Sequence, residues 1–149
     1  MDRLTELAAQ LDSLHAADFD DMNPTADGPE RLQAVCDELA ERDDPERWAP
    51  LLFSLLERLD SVDLGSPGPA VHTLEGRAWP GYRNLLAESV RRKPTPLTLW
   101  MVNRVLNASP PDAADWLALL AHAAEAPGVS AEAAAEARQF LGYQRRALQ

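Results

Sequence analysis

The chain contains twelve prolines, and most of them lie where an amphipathic segment begins. Proline suits the first turn of a helix, because the N–H that it lacks would have no partner within the helix there. Asp44-Pro45-Glu46, Thr95-Pro96 and Ser109-Pro110 each place a capping residue directly before such a proline. Gly28-Pro29 and Trp79-Pro80 are weaker signals of the same kind. The prolines therefore predict a series of short helices.

Apolar residues between these prolines recur at the three- and four-residue spacing of an amphipathic helix. Residues 96–107 are apolar on nearly every face, which is typical of a buried central helix. The chain has no isoleucine, and no segment alternates with the period of a strand. We predict an all-α fold of seven or eight short helices packed as antiparallel hairpins. The predicted helices cover residues 2–17, 29–41, 45–60, 69–76, 80–92, 96–107, 111–126 and 131–146.

A length of 149 residues fits one domain, so we expect a single all-helical domain over residues 1–149. The stretches 18–28 and 61–69 are irregular but short enough to be loops within that domain. Helix starts near residues 45, 80 and 110 recur loosely at the period of two-helix HEAT repeats. No residue pattern repeats with that period, so a HEAT-like arrangement is the weaker interpretation.

Composition excludes several classes of function. The only cysteine is Cys36, so neither an internal disulfide nor a cysteine-based zinc site can form. The apolar runs are too short to span a membrane, and the charged N-terminus lacks the apolar core of a secretory signal. We therefore expect a cytoplasmic protein. A net charge of −10 disfavours direct binding to nucleic acid or to an anionic membrane.

No group of residues in the sequence has a pattern typical of a catalytic site. None of the three histidines has a second histidine at helical spacing, and His72 with Glu75 gives too few ligands for a zinc site. His72 is expected to pack at a helix interface. Cys36 lies on an apolar stripe with acidic neighbours, which predicts an inert core thiol. We predict a non-enzyme without catalytic residues, metal or cofactor. An enzyme with a pocket around His72, Glu75 and Tyr82 remains an alternative.

Aromatic residues are expected to pack in the core. The tryptophans at positions 48, 79, 100 and 116 each fall on or beside an apolar stripe. Trp79 directly precedes Pro80, so it is also a candidate for a partner surface. Tyr143 is expected to anchor the last helix, and His15 to share the apolar stripe of the first.

Negative charge is concentrated in the first part of the chain. Residues 1–63 hold seventeen Asp and Glu against five Arg, whereas residues 64–149 hold seven against nine Lys and Arg. Such asymmetry indicates an electrostatic partner, although a solvated helical surface is the alternative. Acids at the end of a helix oppose its dipole, which favours the partner. The candidate partner-binding residues are Asp18, Asp20, Asp21, Asp37, Glu38, Glu41, Asp43, Asp44 and Glu46.

One segment, from Ser66 to Asn107, resembles a known family. It contains Ser66-Pro67-Gly68-Pro69-Ala70-Val71-His72-Thr73-Leu74-Glu75, then Tyr82, Leu86, Ser89, Arg92 and Pro94-Thr95-Pro96, and finally Trp100-Met101-Val102-Asn103-Arg104-Val105-Leu106-Asn107. These residues resemble small all-helical immunity proteins of bacterial polymorphic toxin and contact-dependent inhibition systems. The resemblance implies a cytoplasmic protein that binds one cognate toxin domain and blocks its active site or substrate entry. It also implies no cofactor and no catalysis, and it assigns no binding residues.

The acidic residues agree with that expectation on separate grounds. A toxin domain that acts on nucleic acid or nucleotides often has a basic active-site face, and an acidic inhibitor would reach it by electrostatic steering. Reversing Glu38, Glu41 and Asp43 to lysine is then expected to slow association. The alternative is a helical scaffold or adaptor that binds a peptide or protein partner in a groove without inhibition.

Overall fold

The computed structural model describes residues 2–76 and 79–148, and these residues form an all-α fold, as predicted from the sequence. They comprise eight α-helices and one short 3₁₀ helix, Ala16–Phe19, and no strand. No helix in this described part combines the length and the apolar character needed to cross a bilayer. The α-helices are α1 (Arg3–Asp12), α2 (Gly28–Ala40), α3 (Pro45–Arg58), α4 (Pro69–Glu75), α5 (Tyr82–Arg92), α6 (Pro96–Asn107), α7 (Ala113–Glu125) and α8 (Ala131–Ala147).

The chain divides into two compact units, Met1–Tyr82 and Arg83–Gln149. In the first unit α1 packs on α2 and α3, and α4 packs on α2 and α3. Arg58 of α3 donates hydrogen bonds to the carbonyls of Leu14 (2.8 Å) and Leu11 (3.0 Å) at the end of α1. The Leu11 carbonyl also accepts from the N–H of Leu14 at 3.1 Å, so Arg58 adds a second bond there and holds the chain where α1 ends. The single domain and the HEAT-like repeat stay predictions.

The core of the first unit contains Cys36, as the sequence predicted. Burial raises the pKa of its thiol to about 11, and a hydrogen bond with Thr73 only partly opposes that rise. A thiol that stays protonated near neutral pH is a poor nucleophile. The segment around Gly68 forms the predicted turn, in which Gly68 has a φ of 92°. A Cβ there would lie 2.0 Å from the carbonyl oxygen of Leu64, so only glycine fits.

In the second unit α6, α7 and α8 pack against one another. Thr95 accepts a hydrogen bond from the N–H of Thr98, and the Thr98 hydroxyl accepts one from the N–H of Thr95. This reciprocal cap confirms the helix start predicted at Thr95-Pro96. Leu106 is buried, as expected, at 6% exposure. Gln144 links α8 to α6, because its Nε2 donates to the side chains of Asn103 (2.7 Å) and Asn107 (2.8 Å).

Several helix boundaries differ from the sequence predictions. The first helix ends at Asp12, which leaves His15 exposed instead of buried on its stripe. The start predicted at Ser109-Pro110 was wrong, because α7 begins at Ala113. Ser109 instead ends α6 with a left-handed φ of 52°, and its N–H bonds to the carbonyl of Leu106. A residue in that conformation belongs to the end of a helix and not to the next start.

The aromatic predictions are partly confirmed. Trp48 and Trp116 are buried, while Trp100 is half-buried with the Arg104 guanidinium 4.9 Å from its ring centre. Trp79 is half-buried and meets the Tyr82 ring edge-on at 6.3 Å. Its role on a partner surface stays a prediction. Tyr143 was predicted to anchor α8, but 50% of it is exposed, because Ala137, Leu141 and Gln144 form the buried face.

Candidate functional site

The predicted acidic residues lie at the two ends of α2 and do not form one cluster. The 3₁₀ helix lies against the start of α2, where a Cβ on Gly28 would come within 2.6 Å of the Asp18 carbonyl oxygen. Thirteen residues of α2, at about 1.5 Å each, put roughly 20 Å between its ends. We call Asp18, Asp20 and Asp21 the loop patch. The corner patch, at the other end, consists of Asp37, Glu38, Glu41, Asp43, Asp44 and Glu46.

Glu38 of the corner patch is bound within the fold. The Arg3 guanidinium on α1 donates from Nε to Glu38 Oε2 and from Nη2 to Oε1, the latter at 2.6 Å. These bonds hold the pKa of Glu38 below its ordinary value and raise the pKa of Arg3. Glu38 is therefore half-buried and already paired within the chain, and its part in binding a partner stays a prediction. Its charge opposes the dipole of α2, but a cation from α1 compensates for it.

Two further corner residues also have partners in the chain. Asp44 receives two hydrogen bonds from Arg42, at 2.9 and 2.8 Å, and these bonds lower its pKa. Asp44 stands at the N-cap of α3, yet its side chain caps no backbone N–H because it faces Arg42. Asp37 accepts a hydrogen bond from Gln33 at 2.8 Å. These acids therefore contribute to local structure as well as to the negative field.

The remaining corner residues face the solvent. Glu41, Asp43 and Glu46 are exposed at the turn between α2 and the first turn of α3. Within the described part of the chain, no hydrogen bond or ion pair engages the carboxylates of Glu41 and Glu46. The exposed carboxylates of Glu41 and Glu46 are thus free to meet a positively charged surface.

Next to the loop patch lies an exposed apolar residue that the sequence reasoning missed. Asp20 accepts a hydrogen bond from the N–H of Met22 at 2.9 Å, and Asp18 accepts one from the N–H of His15 at 2.8 Å. Asp18 also lies 3.7 Å from Arg31 of α2. Asp21 is exposed, and Met22 beside it is 88% exposed. Met22 belongs to no apolar stripe, which was the signal available in the sequence.

A notch of about 340 Å³ opens between α2 and α4 in the first unit, lined in part by Gln33, Asp37, Trp48 and His72. His72 is exposed, so its prediction as a packed interface residue was wrong. The buried face of α4 consists of Ala70, Val71 and Leu74, and His72 falls outside it.

Two residues of the alternative enzyme pocket, Glu75 and Tyr82, are in contact. The Tyr82 hydroxyl donates to Glu75 at 3.3 Å, and neither residue lines the notch that His72 borders. A catalytic acid–base site requires such groups to converge on one cavity, and the enzyme alternative stays a prediction.

A larger groove of about 800 Å³ lies between α5 and α7 in the second unit. Arg83 and Arg91 line it from α5, and Asp115 of α7 and Asp112, the N-cap of α7, line it from the other side. Trp116 also lines it, and its indole N–H is buried without a hydrogen-bond partner. The sequence reasoning assigned no role to this groove.

Across residues 2–76 and 79–148, no group of three or more His, Cys, Asp or Glu side chains is arranged to hold a metal ion. No known protein family, no curated protein and no solved structure matches the chain. The fold and the charge distribution define an all-α protein with a strongly acidic first unit. That unit carries eighteen Asp and Glu residues against six Lys and Arg.

Proposed function

We propose that this chain is an immunity protein that binds a cognate toxin domain in the cytoplasm and occludes its active site or substrate entry. The observation that carries the proposal is the charge of the first unit, which is −12, against +2 for the second. The division between the two compact units thus coincides with the division of charge. A field of one sign over one unit favours a partner of the opposite sign.

The exposed acids give the first unit its means of contact. Asp21, Glu41 and Glu46 are exposed, and no partner engages their carboxylates within the described residues. Exposed charges at the rim of an interface act chiefly on the association rate. The paired acids, Glu38 and Asp44, add to the long-range field but are less free to form new contacts. The partner would therefore have a basic active-site face, as expected of a toxin that acts on nucleic acid or nucleotides.

Growth rescue tests the proposal directly. The C-terminal domain of the protein encoded immediately upstream of this chain would be expressed in a bacterial host, alone and together with the chain. We expect the domain alone to stop growth, and the chain to restore growth by forming a complex that survives gel filtration. Growth that the chain does not restore, or an upstream domain without toxicity, would contradict the proposal.

A set of charge reversals separates inhibition by the acidic surface from inhibition by another surface. Asp21→Lys, Glu41→Lys and Glu46→Lys combined should weaken the rescue. The control reverses Glu125, Glu132 and Glu136 of the second unit to lysine, which changes the net charge by the same amount. We expect this control variant to rescue growth as the original chain does.

A further inference from the structure

The groove between α5 and α7 is formed by one continuous face of each helix. The α5 wall contains Arg83, Ala87, Glu88 and Arg91, whose spacing keeps them on one side of the helix. From Arg83 to Arg91 this wall extends about 12 Å, at 1.5 Å for each residue. The α7 wall contains Asp112, Asp115, Trp116, Ala118, Leu119 and His122, which also follow helical spacing. The groove therefore runs along both helices as an open channel.

Charges of opposite sign stand on the two walls. Arg83 and Arg91 are exposed on α5, and Asp115 of α7 and Asp112, its N-cap, are exposed on the other side. In the described part of the chain none of these four side chains forms an ion pair or a hydrogen bond. Glu88 on the α5 wall and His122 on the α7 wall complete the charged and titratable groups of the groove. The unpaired charges on each wall remain available to a molecule lying in the groove.

The rest of the lining suits a third helix. Ala87 and Ala118 are small, and Trp116 and Leu119 supply apolar surface. Small side chains let a helix approach to the 8–10 Å axial distance at which helices pack. An amphipathic helix places an apolar stripe in such a groove and leaves its flanks against the rims. A small molecule would need a more enclosed site, because ligand pockets cover most of the ligand surface.

We infer that this groove binds one amphipathic helix of a partner protein. The apolar stripe of that helix would lie along Ala87, Ala118 and Leu119. One flank would carry acidic residues toward Arg83 and Arg91, and the other would carry basic residues toward Asp112 and Asp115. The inference goes beyond toxin inhibition, since it concerns residues of the second unit and does not require the acidic surface of the first.

Three synthetic helices serve as probes, each about 16 residues long and stapled on its outer face, because shorter free helices are marginal in water. All three share one leucine–alanine stripe. One carries glutamate on one flank and lysine on the other, the second carries lysine on both, and the third glutamate on both. Fluorescence anisotropy should show that the chain binds the mixed helix about tenfold more tightly than either other helix. General attraction cannot produce this order, because a chain of net charge −10 would favour the all-lysine helix.

Two variants test whether the charges on the groove walls determine which helix binds. Arg83→Glu combined with Arg91→Glu makes both walls acidic, so preference should move to the all-lysine helix by about tenfold. The control, Arg145→Glu with Arg146→Glu, makes the same charge change at exposed α8 positions that do not line the groove. The control variant should bind the three helices in the same order of affinity as the original chain.

The small side chain of Ala118 in the groove lining is tested separately. Ala118→Phe should fill the groove and weaken binding of the mixed helix by about tenfold, whereas Ala118→Ser should retain it. Ala118 is exposed, so both variants should fold, which circular dichroism verifies. Equal binding of all three helices, binding of none, or an unchanged order in the Arg83 and Arg91 variant would overturn the inference. None of these variants touches the residues of the growth-rescue test, so the two proposals fail independently.

Discussion

The two compact units link their helices through different sets of polar side chains. In the first unit, charged groups link the elements: Arg3 joins α1 to Glu38 of α2, and Arg58 joins α3 to the end of α1. In the second unit, Gln144 of α8 bonds Asn103 and Asn107 of α6 through neutral amides, and Arg138 of α8 donates to the carbonyl of Ala124 of α7 at 3.3 Å. The acidic residues of the first unit therefore serve the fold as well as the outward field. Charge count alone does not separate these two uses.

The largest effect expected from a single change is in the apolar core of the second unit. Leu106→Ala should lower the free energy of unfolding by about 2–5 kcal/mol, because it removes a buried side chain and leaves a cavity. Urea denaturation followed by circular dichroism measures the loss. A loss of less than about 0.5 kcal/mol, as at surface positions, would show that α6 does not form the core of this unit.

The first unit should respond to alkaline pH through Cys36. The thiol ionises near pH 8.5 in the unfolded chain but only near 11 in the folded one. Between these values the unfolded state binds fewer protons, so stability falls as pH rises, by up to about 2–3 kcal/mol. Unfolding of the original chain and of Cys36→Ala between pH 7 and 10.5 measures this. Equal slopes for the two proteins would remove Cys36 as the cause.

The amide link of the second unit should contribute less, and independently of salt. Gln144→Leu removes the donor to Asn103 and Asn107 and should cost about 1–2 kcal/mol. The loss should be the same at low and high ionic strength, because no charged group takes part. A loss of stability that depends on salt would show that charged groups contribute to this link.

The ion pair between Arg3 and Glu38 in the first unit should affect stability mainly at acidic pH. Arg3→Gln should raise the pKa of Glu38 toward its ordinary value, which NMR titration of the Glu38 carboxyl measures. The pKa of Glu38 is lowered in the folded chain, so its stabilising effect is present above about pH 4.3 and disappears as pH falls through the folded pKa. The variant should therefore lose less stability than the original chain below about pH 4. An unchanged Glu38 pKa would show that Arg3 is not its partner in solution.

Local signals in the sequence predicted the fold class and most helix starts. The Thr95–Thr98 cap involves residues only three apart, so the sequence contained all the information for that start. The end of α6 was harder, because Ser109 could serve either helix and the preceding helix engages it. The pairing of Arg3 with Glu38 spans 35 residues and depends on how α1 packs on α2. Sequence reasoning could therefore find the acidic residues but not distinguish paired from available ones.

The most direct test of the acidic surface is the rate at which the chain associates with an inactivated form of the toxin domain. The measurement compares the original chain, the Asp21, Glu41 and Glu46 reversal, and the Glu125, Glu132 and Glu136 reversal, each at low and physiological salt. We predict that the first reversal slows association about tenfold and flattens its dependence on salt, because screening acts on steering over a Debye length of about 8 Å. The Glu125, Glu132 and Glu136 variant should retain most of the association rate and most of its dependence on salt. Equal association rates for all three proteins, or equal slowing by both reversals, would contradict an interface on the acidic surface of the first unit.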